Sequence, residues 1–125
     1  MTMSDYLEDA IANALRGGGN GTSFTAPAVV YAKLHTGDPG ENGTANAAGE
    51  TTRQQVTFGA ASGGVISLAS GGAWTNVSTA ETYSHISLWD HATAGNCLGS
   101  GALAASKTVA VGDNFTLTAL TYTLT

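Results

Sequence analysis

Residues 84–89, SHISLW, decide the fold. Ile86 and Leu88 alternate with polar residues there, so they share one face of an extended strand. Similar short runs rich in β-branched, aromatic and apolar residues recur along the chain, separated by turn sequences such as GG, SGG, TAGN and GD. The predicted strands cover residues 29–34, 54–58, 65–68, 73–77, 83–89, 97–103, 107–111 and 114–124.

This spacing predicts a mainly β protein, either a β-sandwich or an open β-barrel of about eight short antiparallel strands. In the last predicted strand the apolar residues change from odd to even positions. A β-bulge near Ala119 and Leu120 would place all of them on one face.

One segment, residues 5–15, predicts a short amphipathic helix at the N-terminus. Leu7, Ile11 and Leu15 recur at helical spacing and form a single apolar stripe. The sequence GGGNG at residues 17–21 then ends the helix. About eleven residues are marginal as an isolated helix, so the stripe must pack on something.

The chain of 125 residues predicts a single domain. It divides into a helix or arm at residues 1–21 and a β domain at residues 22–125. Within the β domain, residues 36–52 form a long polar loop with no strand pattern. We expect this loop to be mobile, or to be an arm that becomes ordered only against a partner.

Charge excludes one class of partner. The net charge is −5, and the four basic residues are scattered instead of forming a basic face. A nucleic-acid-binding protein needs such a face to replace phosphate counterions, so nucleic acid is excluded as the main partner. No apolar run approaches the ~18 residues that span a bilayer, and we expect no membrane partner.

The sequence offers no convincing catalytic, cofactor or metal site. His85, Asp90 and His91 are close in sequence, but a strand directs His85 and Asp90 to opposite faces. Cys97 lies in an apolar run without a basic neighbour, which is typical of a buried thiol. The oxygen-rich loop at residues 35–43 lacks the ligand spacing of an EF-hand.

Several longer segments, in order, resemble a family of small virion proteins of tailed bacteriophages. They are residues 6–15 (YLEDAIANAL), 26–40 (APAVVYAKLHTGDPG), 53–61 (RQQVTFGAA), 83–90 (YSHISLWD), 93–103 (TAGNCLGSGAL), 106–109 (SKTV) and 112–115 (GDNF). The resemblance implies a particle component that is assembled in the host cytoplasm and has no catalytic residues to carry over.

Within that resemblance two roles are open. The first is a capsid decoration (cement) protein, as in phages of actinobacteria, forming a homotrimer and binding the major capsid protein. The alternative is a tail-fibre-like or minor tail protein that contacts the host surface. An enzyme such as a cell-wall hydrolase is disfavoured, because no acid/base pair or metal cluster is evident.

Candidate protein contacts come from two places. The helix offers its apolar stripe, and the loop offers polar and acidic side chains. These candidates are Leu7, Ile11, Leu15, His35, Asp38 and Glu41.

Overall fold

The computed structural model describes residues 1–17 and 19–124, which form one helix and nine strands. The prediction of a mainly β protein with one N-terminal helix is confirmed. The elements are β1 (Thr2–Met3), α1 (Asp5–Leu15), β2 (Val30–His35), β3 (Gln54–Phe58), β4 (Val65–Gly71), β5 (Ala73–Trp74), β6 (Glu81–Trp89), β7 (Cys97–Val109), β8 (Phe115–Thr116) and β9 (Thr121–Thr123).

Seven strands form one antiparallel sheet in the order β1-β7-β6-β2-β3-β4-β9, and β5 and β8 form a small second sheet. The large sheet curls so that β9, at one edge, lies close to β7, near the other edge. The Tyr122 hydroxyl of β9 donates a 2.7 Å hydrogen bond to the carbonyl oxygen of Leu98 in β7. The result is a nearly closed barrel.

Gly99 makes this closure possible. It pairs with Met3 of β1, and a Cβ atom at this position would lie 2.5 Å from the Tyr122 hydroxyl and 2.7 Å from the Thr2 carbonyl oxygen. Only a residue without a side chain lets these two segments approach β7 so closely.

The predicted alternation in β6 sorts its residues between two faces. Ile86 and Leu88 point into the barrel with Leu34 of β2, and all three are almost completely buried. Ser87 and Trp89 point to the outer face, which is also covered. An aromatic cluster joins the small sheet to β6: Phe115 of β8 contacts both Trp74 of β5 and Tyr83 of β6.

Several predicted strand boundaries shift by a few residues, and in two places the number of strands differs from the prediction. The runs at 97–103 and 107–111 belong to one strand, β7, which continues through an irregular register opposite Tyr83 and His85. The run at 114–124 is two strands instead of one bulged strand. Between them, Leu117 N–H bonds to Gly72 and the Leu120 carbonyl accepts from Leu68, so the backbone leaves β8 before it enters β9.

The helix is fixed to the barrel at its first turn. Ser4 is the N-cap, and its hydroxyl accepts a 3.1 Å hydrogen bond from the Leu7 N–H. The same hydroxyl donates to the carbonyl oxygen of Cys97 at the start of β7. Among the described residues, no helix has the length and apolar character needed to cross a membrane.

Candidate contact surfaces

The long loop after β2 is folded onto the outer face of the sheet. Its backbone is held by hydrogen bonds from Thr36 N–H to Asn46, from Ala45 N–H to Pro39 and from Ala48 N–H to Leu34. Pro39 and Ala48 are buried. The expectation of a mobile loop or of an arm that waits for a partner is therefore wrong, because the loop makes its own turns and packs on its own barrel.

His35 links this loop to the sheet beneath it. The Trp89 indole N–H donates to Ser87 Oγ (2.7 Å), and Ser87 Oγ lies 2.7 Å from His35 Nε2. On the other side of the ring, Nδ1 lies 2.9 Å from the carbonyl oxygen of Ala45. Since a carbonyl only accepts, Nδ1 carries the proton and Nε2 accepts from the serine hydroxyl.

Burial of the His35 ring lowers its pKa, and nearby positive charge on Lys33 and His85 acts in the same direction, partly opposed by backbone hydrogen bonds. The neutral ring satisfies every partner in this chain of hydrogen bonds. His35 therefore attaches the loop to the sheet through hydrogen bonds to Ala45 and Ser87. It has no exposed surface, so it offers a partner no contact in this structure.

Gly43 sets the depth at which the loop sits. Its φ is +71°, and a Cβ atom here would lie 2.5 Å from the Cys97 sulfur and 3.1 Å from the Trp89 ring. The thiol beneath it is buried, and this burial raises the pKa of Cys97. Cys97 is thus a packed core group, as its apolar sequence context predicts.

Arg53 closes the far end of the loop. Its guanidinium lies 3.9 Å from the centroid of the Trp89 ring and donates to the carbonyl oxygens of His91 (2.8 Å) and Ala94 (2.7 Å). The guanidinium therefore joins the start of β3 to the hairpin between β6 and β7 through a cation–π contact and two hydrogen bonds.

The three helix candidates have different environments. Leu7 is buried in the core, and Ile11 is partly buried against it. Leu15 is 80 % exposed, the highest exposure among the large apolar side chains of the described residues. Folding thus removes Leu7 from the surface and leaves Leu15 as the member of the stripe that is free to contact a neighbour.

The acidic candidates of the loop are on the surface. Asp38 Oδ1 accepts from the Gly40 N–H (3.0 Å) and keeps an exposed carboxylate. Glu41 is fully exposed beside the first turn of α1. A side-chain hydrogen bond with Asp5, and then the charges of Asp5 and Glu8, raise the pKa of Glu41. Glu41 of the loop and Asp5 and Glu8 of the helix together form an acidic patch.

The structure does not assemble the polar residues of the β6–β7 hairpin into a catalytic arrangement. Asp90 accepts from the Asn96 backbone N–H (2.7 Å). His91 Nδ1 accepts from the backbone N–H groups of Thr93 and Ala94, and His85 pairs with Ser84. The Asp90 and His91 contacts shape the hairpin tip, whereas Ser84 and His85 lie within β6. Within residues 1–17 and 19–124, no cluster of three His, Cys, Asp or Glu side chains is placed to hold a metal ion.

The structure also contains an apolar cavity that no sequence pattern predicts. The mouth of the barrel contains an apolar cavity of about 260 Å³ between α1, residues 24–30 and the sheet. Ile66 of β4, Leu98 of β7 and Ile11 of α1 line it, together with Phe24 before β2. Each of these residues has the sequence context of an ordinary core position, so no local pattern marks the cavity.

Comparison with known proteins gives a family. No curated protein sequence matches this chain. A family model described as "Podophage GP4 fiber I protein gp80" matches residues 2–125, which is nearly the whole chain. The sequence segments that resemble phage virion proteins, between residues 6 and 115, all lie within the matched residues. The chain therefore belongs to the podophage GP4 fibre I protein gp80 family, a family of structural proteins of the phage particle.

Proposed function

We propose that this chain is a non-catalytic subunit of a phage tail fibre that binds neighbouring protein subunits. The observation that carries the proposal is the family match over residues 2–125, since the family is described as a fibre protein. The sequence alone favoured capsid decoration, and the fibre reading was its alternative. The family description supports that alternative.

The proposed partners are identical subunits, in a homotrimer, and an adjoining protein of the particle. Tyr6, 40 % exposed, gives the first turn of the helix an exposed apolar side chain, and Leu15, 80 % exposed, gives the last turn another on the opposite side. The acidic patch adjoins the same helix at its first turn. An apolar centre beside charged side chains is the usual composition of a protein–protein interface.

Capsid decoration remains the second candidate, because one observation favours it. The described residues form one barrel with a short helix, a compact unit that suits a subunit bound to a repeating lattice. On such a lattice many weak contacts act together, so a small interface is sufficient. In that case the partner is the major capsid protein.

Cryo-electron microscopy of the parent phage, with an antibody fragment raised against the purified chain, tests both candidates. We expect antibody density on the fibres and none over the capsid. Density at regular positions over the capsid lattice would establish decoration instead. Particles that carry no antibody and lack this chain by mass spectrometry would overturn both proposals.

The non-catalytic part of the proposal has its own test. Purified chain is incubated with peptidoglycan, and released sugar and peptide are measured against buffer alone. We expect no turnover, because the hydrogen bonds of His85, Asp90 and His91 are used in the hairpin. Turnover that disappears when one of these residues is replaced would disprove this part.

A further inference from the structure

The apolar cavity at the mouth of the barrel is partly enclosed and is open to solvent on one side. Leu7 and Ile11 of α1 form one wall, and Ile66 and Leu98 of the sheet form the opposite side. Two lining side chains are partly exposed and mark the opening, Phe24 at 38 % and Leu124 at 45 %. A small molecule could therefore enter without unfolding the barrel.

The lining has no charge and no free hydrogen-bonding side chain. Among the thirteen lining residues, the Tyr122 hydroxyl is the sole polar side-chain group, and it already donates to the carbonyl oxygen of Leu98 (2.7 Å). A water molecule inside a protein needs two to four polar partners, which this lining does not supply. The lining is therefore suited to an uncharged hydrocarbon group, which needs no hydrogen-bond partner.

Size narrows the ligand class further. An engineered apolar cavity of about 150 Å³ in another protein stays dry and binds benzene. At about 260 Å³, this cavity has room for a longer group. We propose that the barrel mouth is a binding site for one uncharged alkyl chain. This site does not depend on the fibre role proposed above.

The test is titration of the purified chain with 1-octanol, followed by NMR of its methyl groups. We expect saturable shifts at Leu7, Ile11, Ile66 and Leu98, with intermolecular contacts between octanol and these methyls. At ten times the measured Kd, the Tm should rise by about 4 °C, because the ligand binds only the folded state.

A matched pair of variants shows whether binding is at this site. Ala61 and Ala60 are both exposed in the turn between β3 and β4, but only Ala61 lines the cavity. Ala61→Phe adds a ring at the opening and should weaken octanol binding at least tenfold. Ala60→Phe adds the same ring beside it and should leave the Kd within twofold.

Two further outcomes have defined meanings. Octanol that gives no saturable methyl shift, or that binds both variants like the original chain, overturns the proposal. A second titration uses monomeric dihexanoyl phosphatidylcholine, which carries short acyl chains on a headgroup. Binding of both probes indicates that the site accepts a lipid chain, whereas binding of octanol alone indicates a free small molecule.

Discussion

The Tyr122 hydroxyl in β9 and the Leu98 carbonyl oxygen in β7 are joined by a 2.7 Å hydrogen bond that connects the last strand to the other side of the barrel. Both groups are buried. The hydroxyl lies in apolar surroundings, and this burial raises the pKa of Tyr122. A second buried tyrosine, Tyr83, has a hydroxyl without a hydrogen-bond partner among the described residues.

These two tyrosines give a matched comparison. We expect Tyr122→Phe to lower the free energy of unfolding by about 1–2 kcal/mol, because the Leu98 carbonyl loses its best partner. Tyr83→Phe should be neutral or slightly stabilising, since it removes a buried polar group that is not paired. Urea denaturation measures the free energy of unfolding of both variants. Equal decreases would show that the Tyr122 hydrogen bond does not stabilise the fold.

Acid should weaken the attachment of the loop through His35. The folded protein holds the pKa of His35 below its ordinary value of 6.5, so the unfolded chain binds the proton first as pH falls. The free energy of unfolding should therefore be highest above about pH 6.5 and fall below it. Urea denaturation between about pH 7.5 and about pH 5 measures the slope.

The histidine responsible can be identified with two asparagine variants. His35→Asn keeps a donor for the Ala45 carbonyl but cannot titrate, so part of the acid-dependent loss should disappear. His91→Asn makes the same change at an exposed hairpin position, where the new side chain can still accept the hairpin N–H groups. An unchanged slope in His35→Asn contradicts the assignment.

Replacement of Gly43 should lift the loop from the barrel. Gly43→Ala places a methyl group against the Cys97 sulfur and also strains a φ of +71°. We expect a loss of about 2–4 kcal/mol and a faster reaction of the Cys97 thiol with a disulfide reagent. The control is Gly40→Ala, with φ +74° and open space around it, which should cost about 1 kcal/mol and leave the thiol protected.

The guanidinium of Arg53 should not be replaceable by an amine. Arg53→Lys keeps the charge but loses the flat guanidinium that lies over Trp89 and directs one nitrogen, Nη1, at both carbonyl oxygens. A loss of about 1–2 kcal/mol is expected, together with a change in Trp89 fluorescence. Arg16→Lys, on the exposed end of the helix, should stay within about 0.5 kcal/mol. A similarly small effect at Arg53 would show that its contacts with Trp89 and the hairpin do not stabilise the fold.

Leu15 should matter for association but not for folding. Leu15→Ser changes an 80 % exposed side chain, so the free energy of unfolding should move by less than about 0.5 kcal/mol. If the helix contacts a neighbouring subunit, the same variant should weaken self-association in sedimentation equilibrium. Ala12→Ser, also exposed on the helix, is the control. Unchanged association in both variants would exclude Leu15 from the interface.

Local patterns predicted the elements well where packing follows periodicity. The alternation at Ile86 and Leu88 located β6, and the stripe of Leu7 and Ile11 located α1, because burial on one face imposes a period of two or of 3.6 residues. The order of the strands in the sheet could not be predicted, since pairing partners are far apart in sequence.

The loop was the main error, for a physical reason. Its polar composition is typical of disorder, but its stability comes from contacts with distant residues. Gly43 fits against Cys97, and His35 bonds to Ser87. Composition measures what a segment can bury by itself and does not include the surface on which it lies. The same limit hid the cavity, whose walls come from separate parts of the chain.

The meeting of two segments at Gly99 has a consequence for folding kinetics. Thr2 and Tyr122 contact this glycine from opposite ends of the described chain, and the strands between them pair mostly with distant partners. Proteins dominated by such long-range pairings fold slowly, on a scale of about milliseconds to seconds, because the entropy of closing large loops is lost before the contacts form. Barrel closure at Gly99 should therefore be a late event, and an assembly that recognises the closed barrel would accept only subunits that have finished folding.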